Sequence, residues 1–450
     1  MNLDAVRRDI RQHADPYVAR LQAACRQPSI STQGTGMAEM ADWVIATMEQ
    51  VGFEARLLST PGYPAAYGVR LGRSPRRLLL YNHYDVQPPE PMDEWMVDPF
   101  AAEVRDGTLY ARGVADNKGN LVARLCAVES ILRVAGELPL TVVCLFEGEE
   151  EMGSPHLGAC VEAHRELLQA DGCLWETASK DPHGRLEITL GLKGILYVEL
   201  RVQTARTDVH SSRAAILPNP AWRLVWALQA LKGRDETVRV PGFYRDVRPP
   251  SPRQRQLLAA WPFDEAAERE RLDISSHLMG LTGEALKERL IFGPTCTICG
   301  IHSGYGGPGM KTVLPHTASA KVDFRLVPDQ DPAAIFQDLR AYLDQEGFDD
   351  IELVNLNAHP AYWSSPDDPL VRAVVEAAEQ VYDQPPVVLP TLTGSGPIEM
   401  VCQTLGIPVA GTGVRHPASN PHAPNESVRV EDYLQGIEHA AAIFARYAEI

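Results

Sequence analysis

The stretch Thr141–Ser154, TVVCLFEGEEEMGS, sets an apolar, β-branched run directly against four carboxylates in five positions, followed by Gly153-Ser154. A buried strand of the Val142-Val143-Cys144-Leu145-Phe146 kind delivers its C-terminal end to the crevice of an open α/β sheet, where such folds keep their ligands. Glu147, Glu149, Glu150 and Glu151 at that mouth repel one another unless a metal or substrate cation neutralises them. Taken alone, a solvated acidic turn is the plainer explanation. Partners elsewhere in the chain decide between the two.

The neighbouring sequence repeats the pattern. The run Leu78-Leu79-Leu80-Tyr81 ends in His83-Tyr84-Asp85, and Gly172 to Trp175 ends in Glu176. Between them, Asp116-Asn117-Lys118-Gly119 opens an apolar-periodic helix over 120–134 that Gly136 stops. Strand, polar corner, helix, strand is α/β alternation. Two amphipathic helices are predicted ahead of it, over 3–25 and 36–51.

From Arg185 the texture changes to long alternating strands at 186–192 and 196–202, then a helix over 220–231. A charged, Pro-rich, largely helical stretch covers 233–293. Strands at 296–301, 318–326 and 351–356 and a helix over 333–345 complete an antiparallel α+β module. After a linker over 360–369 the α/β texture returns: helix 370–382, a Gly-rich corner at 391–397, strand 407–410, a His-bearing loop at 414–427 and helix 432–450. This order predicts one discontinuous domain, residues 1–187 and 363–450, interrupted by an inserted one, 188–362.

Composition narrows the function. With 450 residues, 45% hydrophobic and 22% charged, the chain has the make-up of a globular protein large enough for two domains. A net charge of −17 and the lack of a Lys/Arg cluster interleaved with aromatics argue against nucleic acid and anionic membranes as partners. No apolar run is long enough to span a bilayer and Met1 to Arg20 has no apolar leader core, so a cytoplasmic location is expected. Eight scattered cysteines, several in core segments (Cys126, Cys144, Cys402), suit reduced thiols. Cys296 and Cys299 have CxxC spacing, but in a strand that offset puts the thiols on opposite faces, which favours a core role over a redox or zinc site.

The ligand-type residues collected from strand ends and loops are His83, Asp116, Glu150, Glu151, Glu176 and His422. Mixed imidazole and carboxylate suits two zinc ions or similar divalent metals. The motifs HYD at 83–85, GVADNKG at 113–119, EEMGS at 150–154 and PHAPNES at 421–427 resemble those of the dinuclear zinc metallopeptidase family twenty. That family includes carnosinases, cytosolic nonspecific dipeptidases, aminoacylases, acetylornithine deacetylases and glutamate carboxypeptidases. VPGFYRDV at 240–247, GIHSGYGGPGMKTVLP at 300–315 and DFRLVP at 323–328 resemble the dipeptidase branch most closely.

The resemblance implies a zinc-peptidase-like catalytic domain, its mixed and largely parallel sheet flanked by helices, with an inserted α+β lid or dimerisation domain. It implies two Zn2+ per subunit, with Mn2+ or Co2+ as alternatives. By that resemblance Asp116 would bridge them, His83 and Glu176 would complete one shell, and Glu151 and His422 the other. The same resemblance implies that Asp85 orients the site, that a cis peptide follows Asp116, and that Glu150 is the general base acting on a metal-bridging water. His210 is implied to reach the neighbouring subunit's active site in a homodimer and stabilise the oxyanion there. Thr312, Arg325 and His359 match lid positions that hold substrate, and Gly394, Ser395 and Gly396 form a corner whose N–H groups can hold a polar substrate end.

Two positions depart from the dipeptidase pattern. Glu176 stands where dipeptidases generally have Asp and carboxypeptidases or deacylases have Glu. Thr393 stands where dipeptidases place a Glu for the substrate's ammonium, and Glu399, three residues beyond Gly396, is a weak substitute. The implied activity is hydrolysis of the amide bond of small dipeptides or N-acyl amino acids. The alternatives are a carboxypeptidase or deacylase restricted to N-blocked substrates, and a catalytically silent binding protein on the same fold.

Overall fold

The structure, a computed structural model, describes residues 1–176 and 178–450. Its larger body is built on an eight-stranded sheet with spatial order Glu54–Leu58, Ala65–Arg70, Thr141–Glu147, Arg77–His83, Gly172–Trp175, Val409–Gly411, Glu187–Thr189, Val387–Leu389. The four strands from Thr141–Glu147 to Val409–Gly411 are mutually parallel, and His83 pairs with Glu147 in register. Parallel pairing carries all four C-terminal ends to one edge. Antiparallel partners flank this block on both sides.

Alternation within the strands explains why both faces are covered. Val142, Cys144 and Phe146 with Leu78 and Leu80 pack under the helices Gly119–Ala135, Pro369–Val381 and Val430–Tyr447. Val143 and Leu145 with Leu79 and Tyr81 face the opposite way, toward the helix Leu157–Ala163 and the turn around Val401. A continuous apolar run is what a strand buried on both faces requires.

The inserted body carries a separate four-stranded antiparallel sheet, order Thr297–Ser303, Thr317–Leu326, Gly194–Gln203, Glu352–His359, with its own core against the helices Pro220–Leu231 and Pro332–Gln345. Three helices, Pro252–Ala260, Glu265–Leu272 and Gly283–Phe292, fill the charged stretch.

Several elements differ from the sequence reading. The first helix is two, Leu3–Gln12 and Ala14–Arg26, broken at His13. Residues 186–192 do not open the inserted body: Glu187–Thr189 joins the large sheet and Gly191–Leu192 pairs with Tyr362–Trp363. The edge strand Val387–Leu389 was unread because three residues after Pro385-Pro386 give no periodicity. Among the described residues no helix is long and apolar enough to cross a membrane, and all eight cysteines are free. Cys296 is buried but Cys299 is exposed, so the core reading holds for only one of them.

Candidate metal centre

The strand-end edge gathers His83, the turn Glu147–Glu151, Glu176 and the loop that follows Gly411. Arg124, buried in the helix beneath, ties these ends together. Its Nη1 donates to the carbonyls of Tyr81 (2.8 Å) and Leu174 (3.0 Å) and to Asn82 Oδ1 (2.8 Å), and its Nη2 to the carbonyls of Trp175 and Thr412. One guanidinium therefore fixes three adjacent strand ends, and burial pulls its pKa down to about 10.

Asp116 occupies the centre, and its peptide bond to Asn117 is cis, as the family resemblance implies. Asp116 Oδ1 lies 3.2 Å from His83 Nε2, and Oδ2 lies 3.1 Å from His422 Nε2. Glu176 Oε2 stands 3.5 Å from the same His83 nitrogen, and Glu151 Oε2 3.2 Å from the same His422 nitrogen. One carboxylate thus faces two imidazole–carboxylate pairs, one on each oxygen. Ligand atoms of His83, Asp116 and Glu151 all fall within 4.8 Å of one another.

The electrostatics fit a cation. Glu151 Oε1 and Glu176 Oε2 are buried without a hydrogen-bond partner among the described residues, and a buried anionic oxygen without a donor is costly. Hydrogen bonds to the accepting carboxylates of Asp116 and then Glu151 lift His422 to about 10. Burial opposes protonation of His83, but Glu176, Asp116 and Asp85 together raise it well above the ordinary range. The field that lifts both imidazoles is the field a divalent ion would neutralise, with the nitrogens then free to ligate.

Asp85 supports this set from behind. His83 Nδ1 lies 3.0 Å from the Asp85 carbonyl, while the Asp85 carboxylate accepts from Glu150 N (3.3 Å) and Glu151 N (3.0 Å). Burial first, and then Glu151 and Asp116 against the opposing pull of His83, push Glu150 up to about 8. The other two acids of the turn are engaged structurally. Glu147 accepts from the Tyr81 hydroxyl and from Ser154 Oγ (2.9 Å), and Glu149 pairs with His156 Nδ1 (2.8 Å) and accepts from Tyr63 N (3.2 Å).

Two residues that hold Asp116 were not singled out from the sequence. Arg415 Nη2 lies 2.6 Å from Asp116 Oδ2. Glu426, fully buried, accepts from Arg112 Nη1 (2.7 Å) and from the backbone N–H of Gly113 (2.8 Å), Ala115 (2.8 Å) and Asp116 (2.9 Å). Its place inside the PHAPNES motif was the available signal, whereas Arg415 had none.

The predicted substrate residues fall in two groups. Arg325 Nη1 donates to Ser395 Oγ (2.9 Å), Ser395 Oγ to the Gly194 carbonyl (3.0 Å), and His359 Nδ1 pairs with Glu399 Oε1 (2.8 Å). A Cβ on Gly396 would lie 4.0 Å from Glu150 Oε1, so the Gly394–Gly396 corner borders the acidic turn. His210 and Thr312 are exposed and contact each other (Nε2 to Oγ1, 3.3 Å), not the cluster.

A largely parallel α/β sheet whose strand ends converge on imidazoles and carboxylates defines a metal-dependent hydrolase. The chain belongs to Peptidase family M20/M25/M40, whose model matches residues 79–446, and it is a peptidase. It is 27% identical to the Cys-Gly metallodipeptidase dug1 of Schizosaccharomyces pombe over 97% of both chains. It is 27% identical to the human Beta-Ala-His dipeptidase, covering 86% of this chain and 78% of that one. Among solved structures it is similar to an M20 family metallo-carboxypeptidase from Sulfolobus solfataricus, with TM-score 0.92 and 37% identity over 97% of this chain and all of that one.

Proposed function

We propose that the protein hydrolyses the amide bond of small dipeptides or N-acyl amino acids with two divalent metal ions, zinc by donor chemistry. The large-sheet body serves as catalytic domain and the inserted body as lid and dimerisation domain. The observation that carries the reading is the single Asp116 carboxylate set between His83 with Glu176 and His422 with Glu151. Two cations held by that set would supply the charge to acidify a water and polarise the amide carbonyl.

Glu150, beside ligand Glu151 and not itself a ligand, takes the water's proton and passes it to the leaving nitrogen. Asp85 sets the tautomer and aim of His83 and fixes the turn that carries Glu150. Arg325, bonded to Ser395, offers a planar fork to a substrate carboxylate. In a homodimer, His210 of the partner subunit donates to the developing oxyanion. Exposed Trp222, Val225 and Trp226 and the exposed edge strand Thr297–Ser303 support a pairing surface on the inserted body.

One observation favours the narrower reading, restriction to N-blocked substrates. Thr393 supplies no charge for an ammonium; Glu399 pairs with His359 through Oε1, while its buried Oε2 has no hydrogen-bond partner among the described residues. Hydrolysis of free and N-acetylated dipeptides by zinc-loaded protein, with Glu150→Gln alongside, tests both. Turnover of both substrate types supports the broad reading and turnover of blocked ones alone the narrow. Glu150→Gln is expected to lose about 10²–10⁴-fold in kcat while retaining metal. Purified protein that takes up no zinc overturns both readings.

A further inference from the structure

Along the strand Arg77–His83, alternation places Asn82 on the same face as Leu78 and Leu80, against the helix that carries Arg124. A fully buried amide there is costly unless both its ends are bonded. Arg124 Nη1 donates to Asn82 Oδ1 (2.8 Å), Asn82 Nδ2 donates to Asn117 Oδ1, and Asn117 Nδ2 donates to the Glu176 carbonyl (3.2 Å). Asn117 is as completely buried as Asn82.

The direction of this relay is fixed at both ends. A guanidinium only donates and a peptide carbonyl only accepts, so neither amide can turn over without setting like groups against each other. The relay also joins three ligand-bearing segments. Asn82 precedes His83, Asn117 follows Asp116, and the last acceptor belongs to Glu176 itself. These three surround one side of the centre, where His83 Nε2 lies 3.2 Å from Asp116 Oδ1 and 3.5 Å from Glu176 Oε2. Glu151 and His422 face the other oxygen of Asp116 and lie outside the relay.

We propose that Asn82 and Asn117 are positioning residues for one half of the centre, a one-way relay from Arg124 that sets Glu176 at its spacing from His83. This rests on the two-metal reading above and adds which residues hold that half independently of the other. An Asn→Asp exchange at either position keeps the shape and breaks the same link. In Asn117→Asp an oxygen replaces the nitrogen that meets the Glu176 carbonyl. In Asn82→Asp the second oxygen finds a donor only if Asn117 turns over, which sets the Asn117 oxygen against that carbonyl.

The test titrates zinc into metal-free parent, Asn82→Asp and Asn117→Asp by calorimetry, with melting temperatures alongside. Ser130→Ala, which removes a buried hydrogen bond to Asp9 (2.7 Å) further along the helix of Arg124, serves as control. One of the two binding steps is expected to weaken about 10–100-fold in both Asn variants, the other far less, and neither in Ser130→Ala. A crystal structure of metal-free Asn117→Asp is expected to show the Glu176 carbonyl moved away from the substituted side chain. Unchanged zinc steps beside a lowered melting temperature, equal weakening of both steps, or an unmoved carbonyl overturns the inference. Parent protein that binds no zinc refutes the two-metal reading instead, and the metal-free crystal structure still decides the relay. If Asn117→Asp does not fold, Asn82→Asp carries both measurements.

Discussion

Glu426 offers a stringent test of how the centre is held. It is fully buried and satisfies four donors: Oε2 accepts from Arg112 Nη1 and Gly113 N, and Oε1 from Ala115 N and Asp116 N. Glu426→Gln keeps the shape but has one acceptor oxygen, so whichever way the amide turns, its NH2 meets two donors. An unmade buried hydrogen bond costs about 1–3 kcal/mol, and a buried guanidinium deprived of its partner raises the total to about 3–5 kcal/mol. Glu431→Gln, which breaks the ion pair of Glu431 with Arg11 at side-chain exposures of 59% and 38%, should cost about 0–1 kcal/mol. Urea unfolding of both variants against the parent reads the difference. Because Glu426 also anchors Asp116 N, zinc affinity should fall about 10–100-fold in the first variant only. Equal small losses in both variants, or unchanged zinc affinity, would refute the reasoning.

Two further predictions concern pH and assembly. His439, buried between Thr412 Oγ1 (3.2 Å) and the Val374 carbonyl (3.0 Å), has its pKa pulled down to about 4 by burial. The unfolded chain binds a proton there that the folded one refuses, so stability falls as pH drops from about 6.5 to about 4, by about 3 kcal/mol. Denaturation across that range should show a shallower loss in His439→Gln, and an unchanged slope would contradict it. Trp226→Asp, placing a charge on an exposed apolar helix face, should yield a monomer by light scattering with lost turnover; a fully active monomer would remove His210 from the mechanism.

Long, periodic or wholly apolar segments were legible because their burial is written into the chain itself. Leu78 to Tyr81 and Val142 to Phe146 read as strands covered on both faces, whereas the change of texture read at Arg185 falls ahead of Gly194, where the inserted sheet begins. What escaped depends on contacts distant in sequence. His13 breaks the first helix at a point where periodicity continues, and Val387–Leu389 is a strand only because Glu187–Thr189 lies beside it. At the centre, ligand-type residues announced themselves by chemistry and motif, while Arg124 and Arg415 look like ordinary basic residues until the fold buries them.

The acidic turn shows why composition by itself could not assign its four carboxylates. All four follow one strand within five positions, yet the fold gives each a different partner. Glu147 points back to Tyr81 and Ser154, and Glu149 turns aside to His156 and Tyr63. Asp85 grips the N–H groups of Glu150 and Glu151, and through its carbonyl the Nδ1 of His83. Two strand ends are thereby locked to each other with two acids left facing Asp116. A charge run repels itself in solution, and here two members are spent on protein donors, which leaves Glu151 with an unpartnered Oε1 to meet a cation and Glu150 beside it. The Asp85 carboxylate also lies 3.3 Å from His83 Nδ1, so removing it would disturb both His83 and Glu150 at once, which makes Asp85 a positioning residue for the two halves of the centre.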